Sequence, residues 1–279
     1  MIIWIASYPK SGNTWVRSFL SSYIYSEGKE FNFQMLNKIT QFPSRRLFNK
    51  MGQNPKNLLE AAQSWISSQE IINLSNDIVF LKTHNAMCKL ENYPFTNKEN
   101  TLGAIYIVRD PRDVLVSYYA HSVTKTNNAN YTSVLDTMTT GKTLTYLSDD
   151  KDKKFMSIMG NWSENYNSWK NFNLTKKIII KYEDLLLDPF MNFLKIIEFL
   201  NNLYGLKIDK NKIKKSIEAT KFSNLQKLEK EIGFGEKLKN KKLFFREGKI
   251  GQWKKKLDKK FSDKLEKVFY KDMKELNYL

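Results

Sequence analysis

The chain alternates between short apolar runs of strand length and longer stretches in which apolar residues recur with helical spacing. The apolar runs lie at residues 2–6, 77–81, 103–108 and 177–180, and such unbroken runs are typical of strands buried on both faces. Helical patterns cover residues 14–25, 56–74, 111–122, 156–172, 189–203 and 262–276. This alternation predicts an α/β protein with a central, largely parallel sheet flanked by helices.

Length and composition favour one folded unit. The chain has 279 residues, of which 41% are hydrophobic, and this is enough to build a sizeable core. We find no internal repeat and expect a single domain over residues 1–279. Residues 41–57, 124–130 and 233–251 are predicted to be the least ordered, and the lysines at 237, 239, 241 and 242 fit a solvated basic loop.

Charge narrows the range of partners. Lys and Arg number 46 against 29 Asp and Glu, which gives a net charge of +17 and indicates an anionic partner. Cys88 is the only cysteine and there are two histidines, so an internal disulfide, a cysteine-based zinc site and a multi-histidine metal site are excluded. We find no secretory signal and no apolar run long enough for a membrane span, and therefore expect a cytoplasmic protein.

The segment after the first strand combines small polar residues with one lysine. Lys10, Ser11, Gly12, Asn13 and Thr14 stand where a helix begins, and a helix start presents free N–H groups and partial positive charge. This composition predicts an anion cradle; the alternative is a plain capped turn with Asn13 or Thr14 as N-cap. Because the lysine precedes the glycine, the segment differs from the nucleotide P-loop, in which Lys follows Gly and a Ser/Thr binds magnesium.

Polar residues also follow the other predicted strands. Arg109 stands at a helix start that Asp110 would cap, and an arginine with the Ser117 hydroxyl suits a terminal phosphate; alternatively Arg109 is a surface residue. Lys82 and His84 follow the second strand, where a lone histidine is more often structural than catalytic. To His121 we assign a structural or surface role.

These residues carry a resemblance to a known family. Residues 8–15, YPKSGNTW, resemble the 5′-phosphosulfate loop of cytosolic-type sulfotransferases, usually YPKSGTTW. These enzymes use 3′-phosphoadenosine 5′-phosphosulfate (PAPS) as donor and release adenosine 3′,5′-bisphosphate (PAP). Further elements follow in the family's order: KTH at 82–84, the 3′-phosphate segment at 109–119, YED at 182–184, TKF at 220–222 and REGKIGQW at 246–253.

The resemblance implies a P-loop-like three-layer fold and metal-free sulfuryl transfer from PAPS, a co-substrate, to a hydroxyl or amine. The implied catalytic residues are His84 as general base, Lys10 at the bridging oxygen and Lys82 at the sulfuryl oxygens. The implied donor-binding residues are Lys10, Ser11, Gly12, Asn13, Thr14, Trp15, Arg109, Ser117, Tyr182, Thr220, Phe222, Arg246, Glu247 and Gly248. Trp15, Tyr182, Thr220 and Phe222 would surround the adenine, and residues 246–248 would close over the 3′-phosphate.

Two departures from the family pattern leave alternatives open. Glu247 replaces the usual Lys and Gln252 the usual Asp, so an inactive relative that binds PAPS or PAP is one alternative; Lys249 is a candidate for charge compensation. A P-loop-like kinase and a basic nucleic-acid-binding protein are others, although we expect no specific nucleic-acid ligand.

The acceptor, a small molecule or a glycan, should lie among residues 42–50, 88–94 and 233–244, whose aromatic side chains, Phe42, Phe48, Phe234 and Phe244, suggest partly apolar contacts. The family's dimer motif, KxxxTVxxxE, is absent, so we expect a monomer or a homodimer.

Overall fold

The computed structural model describes residues 1–122, 130–141, 144–147, 154–236 and 243–279, with side chains except at 144–147 and 154–156. The described strands are β1 (Ile2–Ser7), β2 (Thr40–Gln41), β3 (Val79–Thr83), β4 (Lys89–Leu90), β5 (Tyr93–Pro94), β6 (Thr101–Val108), β7 (Leu144–Leu147), β8 (Lys154–Ser157) and β9 (Lys176–Lys181). The described helices are α1 (Asn13–Tyr25), α2 (Arg45–Lys50), α3 (Leu58–Gln63), α4 (Trp65–Asn73), α5 (Pro111–Ser122), α6 (Tyr131–Thr140), α7 (Trp162–Lys170), α8 (Tyr182–Leu187), α9 (Pro189–Tyr204), α10 (Lys210–Ala219), α11 (Phe222–Ile232), α12 (Trp253–Lys256), α13 (Lys259–Val268) and α14 (Tyr270–Glu275), with a 3₁₀ helix at Phe33–Lys38.

The central sheet confirms the predicted fold class. Its described strands run in the order β2-β3-β1-β6-β9, and each neighbouring pair is parallel. Two short antiparallel pairs, β4-β5 and β7-β8, lie outside it. The four predicted strands are present within one to two residues at most ends, whereas β2 was not predicted.

Alternate residues of the central strands pack against opposite helix layers. Trp4 and its same-face neighbours contact one buried cluster that includes Trp65, Trp162 and Trp169. Ile3, Ile5 and the matching residues of β6 contact a second cluster, with Phe19 of α1 and Phe193 of α9. The sheet is therefore covered on both faces, which explains why its strands are continuous apolar runs.

Several predicted helices needed correction. Residues 56–74 form two helices, and residues 262–276 fall in two helices separated at Phe269. The prediction for 156–172 was wrong at its start, because α7 begins at Trp162, where Asn161 and Glu164 form a reciprocal capping box. Helix α2 lies within 41–57, which was predicted to be poorly ordered, whereas residues 124–129 and the four lysines of 237–242 lie outside the described residues.

Within the described ranges, no helix combines the length and apolar character that crossing a bilayer requires.

Candidate functional site

The carboxyl ends of the central strands meet at one cleft. Strands β3, β1 and β6 are parallel neighbours, so the segments that follow them emerge at the same edge of the sheet, where ligands bind in open α/β folds. The cleft there has a volume of about 610 Å³. Most of the predicted site residues line it, namely Lys10, Gly12, Asn13, Thr14, Trp15, Lys82, His84, Arg109, Ser117, Tyr182, Phe222, Arg246, Glu247 and Gly248.

Two predicted site residues do not line the cleft. Ser11 is fully buried in the same loop, and its Oγ has no hydrogen-bond partner. Thr220 is also fully buried, and its hydroxyl donates to the Ser216 carbonyl oxygen at 2.7 Å. The Thr220 side chain is therefore committed to helix α10, whereas the Ser11 hydroxyl remains available.

The loop after β1 depends on the glycine at its end. Gly12 has φ +102°, and a Cβ there would lie 2.4 Å from Cδ2 of Tyr182, so the backbone approaches this ring as only glycine permits. No side chain caps α1. The Asn13 side chain instead turns back and donates to the Ile5 carbonyl and the Ser7 hydroxyl. The plain capped turn with Asn13 or Thr14 as N-cap is therefore wrong, and the helix start is open toward the cleft.

Lys10 supplies an adjustable positive charge beside this helix start. Burial, followed by the charges of Arg246 and Lys82, lowers the pKa of Lys10 to about 7. Its Nζ lies 4.5 Å from the centroid of the Phe244 ring. An incoming anion would reverse this destabilisation of the ammonium form, which makes the loop a site whose charge responds to its ligand.

The contacts of His84 determine which ring nitrogen faces a substrate. Nδ1 lies 2.8 Å from the Ser7 carbonyl oxygen. Because a carbonyl only accepts, Nδ1 carries the proton and Nε2 keeps its lone pair. Burial, with the nearby charge of Lys82, lowers the pKa of His84 to about 3. His84 is therefore neutral at physiological pH, in the tautomer that a proton acceptor at Nε2 requires.

A carboxylate that the sequence analysis did not single out lies beside these cations. Glu236 pairs with Arg17 of α1 at 2.6 Å and with Lys82 at 3.3 Å, and it lines the cleft. Its pKa is lowered by the charges of Lys82 and Arg17 against the opposing effect of burial. Burial lowers the pKa of Lys82, whereas Glu236 raises it. Glu236 is thus the counter-ion that favours protonated Lys82.

Arg109 links the loop of Lys10 to the segment that contains Lys249. It is 6% exposed, and it donates to the carbonyl oxygens of Lys10 and Lys249, each at 3.1 Å. Its guanidinium lies 4.4 Å from the Tyr182 ring centroid, and Nε has no partner.

Asp110 accepts the Arg112 N–H at the start of α5, as predicted for its cap. His121, predicted to be structural or on the surface, also lines the cleft.

The segment with Arg246, Glu247 and Gly248 lines the cleft as well. Gly248 has φ +59°, and a Cβ there would meet the Phe222 ring at 2.3 Å. Glu247 forms an ion pair with Lys256, whereas Lys249 contributes its backbone oxygen to Arg109. The cation that pairs with Glu247 is Lys256, charge compensation by the Lys249 side chain stays a prediction, and Arg246 lines the cleft.

Several donors at the cleft fit an anionic nucleotide with an aromatic base. Trp15 and Arg109 line the cleft, and Trp15 Nε1 and Arg109 Nε are buried without a partner, as is Ser11 Oγ in the adjoining loop. The rings of Trp15, Tyr182 and Phe222 line the same cleft. Buried polar groups normally have partners, so these orphaned donors, beside Lys10 and Arg246, match the phosphates and purine that the resemblance implies. Groups of three or more potential metal ligands do not occur among the described residues.

The predicted acceptor aromatics separate into two groups. Phe42 and Phe48 are fully buried in the core cluster, so their assignment to acceptor contacts was wrong. Gln41 and Phe244 do line the cleft. Phe234 packs against Phe244, with ring centroids 4.8 Å apart. Of the predicted acceptor segments, 233–244 reaches the cleft with Gly235, Glu236 and Phe244, whereas Gln41 lies just before the segment 42–50.

The parallel sheet and the cationic cleft at its carboxyl edge define a P-loop-like α/β fold. Comparison with known proteins gives its family: the Sulfotransferase domain matches residues 2–277. The chain belongs to the sulfotransferase family, and its enzyme class is PAPS-dependent sulfotransferase.

The chain is also similar to individual sulfotransferases. It is 26% identical to an amine sulfotransferase of Oryctolagus cuniculus over 289 residues, covering 98% of this chain and 81% of the relative. It is 23% identical to cytosolic sulfotransferase 7 of Arabidopsis thaliana over 255 residues, covering 88% and 71%. The crystal structure of mouse sulfotransferase SULT7A1 complexed with PAP matches with a TM-score of 0.61 at 20% identity, covering 98% of this chain and 84% of that one. That structural likeness confirms the fold.

Proposed function

We propose that this protein transfers a sulfuryl group from PAPS to a hydroxyl or amine of a small-molecule or glycan acceptor in the cytoplasm. The observation that carries the proposal is that three groups line one cleft: the loop with Lys10, the histidine His84, and the two arginines Arg109 and Arg246. PAP in the mouse structure and the name of the Arabidopsis relative support the donor and the compartment.

The proposed donor site uses two groups of cationic residues that line the cleft. Lys10, the amides at the start of α1 and the Ser11 hydroxyl bind the 5′-phosphosulfate, because they combine charge with unpartnered donors. Arg109, Ser117 and Arg246 bind the 3′-phosphate. Trp15, Tyr182 and Phe222 offer apolar faces to the adenine.

The proposed chemistry is an in-line displacement assisted by positioned charges. His84 Nε2 takes the acceptor proton, Lys82 stabilises the sulfuryl oxygens, and Lys10 offsets the charge that develops on the leaving phosphate. In the free protein, burial and Lys82 hold the pKa of His84 near 3. Negative charge from the donor neutralises the surrounding cations, so we expect the pKa of His84 to rise toward the range in which a general base is effective.

Transfer of labelled sulfate from PAPS to a panel of phenols, alcohols and amines tests this function. We expect transfer by the wild type and, for His84→Ala, a loss of about 10²–10⁴-fold in kcat, with PAP affinity within about threefold of wild type since His84 is assigned to the acceptor rather than the donor. His121→Ala tests the competing histidine. Full activity of His84→Ala removes His84 as the base. If activity is lost in His121→Ala and not in His84→Ala, His121 takes that role.

The alternatives have specific tests. Pairing with Lys256 offsets the negative charge of Glu247, and the sulfate-transfer assay distinguishes an active enzyme from an inactive relative that binds PAPS or PAP. Magnesium with ATP tests for kinase activity. For a net charge of +17, we expect nucleic-acid binding to be non-specific and to weaken steeply toward physiological salt.

A further inference from the structure

A buried carboxylate on α11 holds the start of the segment that closes the cleft. Glu229 is 2% exposed. Its two carboxylate oxygens accept the consecutive backbone N–H groups of Phe244 and Phe245, at 2.6 and 2.9 Å. Charge-assisted hydrogen bonds of this kind are short and strong, and burial of the carboxylate makes their loss costly. Glu229 therefore fixes the backbone of the two residues that precede Arg246.

A second side chain of α11 binds the carbonyl groups of the same segment. Gln226 lies one helical turn before Glu229, and its Nε2 donates to the carbonyl oxygens of Phe245 at 2.7 Å and Arg246 at 3.2 Å. The two side chains thus contact both the donors and the acceptors of a short, irregular stretch of backbone. This stretch has no sheet neighbour among the described strands, so side chains supply the hydrogen bonds that a strand would otherwise provide.

The other end of the closing segment is held in the same way. Asp113 of α5 is 2% exposed, and its carboxylate accepts the N–H groups of Gly251 at 2.7 Å and Trp253 at 3.0 Å. Between these two buried carboxylates lie Arg246 and Gly248, the residues assigned to the 3′-phosphate. Buried carboxylates therefore hold both ends of the segment by hydrogen bonds, one from α11 and one from α5.

Helix α11 also connects this segment to the proposed adenine site. The helix begins at Phe222, whose ring lies so close to Gly248 that a Cβ there would be 2.3 Å away. One helix therefore presents an aromatic ring to the cleft from its first residue and holds the phosphate-binding backbone from its second and third turns.

We propose that Glu229, assisted by Gln226, is a positioning residue that sets the affinity for the 3′-phosphate of the donor. Glu229 touches no part of the donor. It holds the backbone of Phe244 and Phe245 so that the Arg246 side chain and the Gly248 N–H reach the phosphate together. The inference rests on the proposed function, because it assumes that PAP or PAPS occupies the cleft.

A comparison of two ligands separates this role from a general structural one. PAP carries the 3′-phosphate, and adenosine 5′-phosphate lacks it. Calorimetry with both ligands, without acceptor, is done on the wild type, Glu229→Gln and the control Glu231→Gln. Glu231 lies on the same helix, is exposed and forms a 3.8 Å surface pair with Lys227. Both variants remove one negative charge.

We expect Glu229→Gln to weaken PAP binding about 10- to 100-fold while adenosine 5′-phosphate changes less than about threefold, because an amide loses one acceptor and the charge of the carboxylate. Glu231→Gln should leave both affinities unchanged. With PAPS and an acceptor, the KM for PAPS should rise while kcat at saturation stays within about threefold. Gln226→Leu should reproduce the PAP-selective loss, and it serves as the test if Glu229→Gln does not fold.

Unchanged PAP affinity in Glu229→Gln, or in Gln226→Leu when that variant serves as the test, overturns the proposal. An equal loss for both ligands also overturns it, because Glu229 would then support the fold rather than the phosphate. A wild type that binds adenosine 5′-phosphate and PAP with the same affinity denies the 3′-phosphate site and so defeats the inference alone. A wild type that binds neither ligand defeats the proposed function itself.

Discussion

Lys10 should make donor binding depend on pH just above neutrality. Burial and the charges of Arg246 and Lys82 lower its pKa to about 7. Its ammonium form is then about half populated at pH 7, about one tenth at pH 8 and about one hundredth at pH 9. An anionic ligand binds the protonated form and raises the pKa of Lys10 in the complex. Affinity for PAP should therefore fall by up to about tenfold per pH unit above pH 7.5.

The ligand and the base do not account for this slope. The second pKa of a phosphate monoester is about 6, so PAP is fully charged above pH 7.5. In the free protein the pKa of His84 is about 3, which keeps that ring neutral, and a variant at Lys10 distinguishes any proton that His84 takes up in the complex from that of Lys10. Burial also lowers the pKa of Lys82, and for this reason a variant that isolates Lys10 is needed.

Calorimetric titration of PAP at pH 7.5, 8.2 and 9.0, in buffers of different ionisation enthalpy, measures the affinity and the protons taken up on binding. We expect net proton uptake by the wild type. Lys10→Arg keeps its charge across this range, so its affinity should vary much less and its proton uptake should fall. A wild type without pH dependence, or a Lys10→Arg variant with the same slope, would refute the assignment of the proton to Lys10.

Two further substitutions test the geometry of the cleft. Gly12→Ala places a Cβ 2.4 Å from the Tyr182 ring at φ +102°, so we expect a loss of about 1–3 kcal/mol in stability and no measurable PAP binding; wild-type values in urea unfolding and calorimetry would contradict this. The charge of Glu236 pairs with buried Arg17 and raises the pKa of Lys82. Glu236→Gln removes this charge, so the pKa of Lys82 should fall. We expect the alkaline limb of the kcat profile to move to lower pH, and an unmoved limb would show that Glu236 does not control Lys82.

The sequence predicted those parts of the site that are continuous in the chain. The loop around Gly12 is local, because one glycine, one lysine and one helix start determine it, and the apolar runs of β1, β3, β6 and β9 are buried on both faces. The family resemblance then predicted which strand ends would share a cleft. Metal-free catalysis, the oligomeric state and the individual residue roles stay predictions.

Contacts between distant segments could not be predicted. Arg17 and Glu236 are separated by 219 residues, and neither position differs in pattern from an ordinary surface charge on a helix or loop. The role of Glu229 could not be predicted for the same reason, because other charged residues surround it in the sequence of α11. Phe42 was misassigned because β2 has only two residues, too few for a strand pattern that would reveal its place in the core.

The most direct test of the central claim is a crystal structure of the protein grown with PAP. We predict the 5′-phosphate against Lys10 and the amides at the start of α1, the 3′-phosphate against Arg109, Ser117 and Arg246, and the adenine beside Trp15. Density for PAP at another surface, or bound in the cleft with its phosphates away from Lys10 and Arg246, would contradict the account.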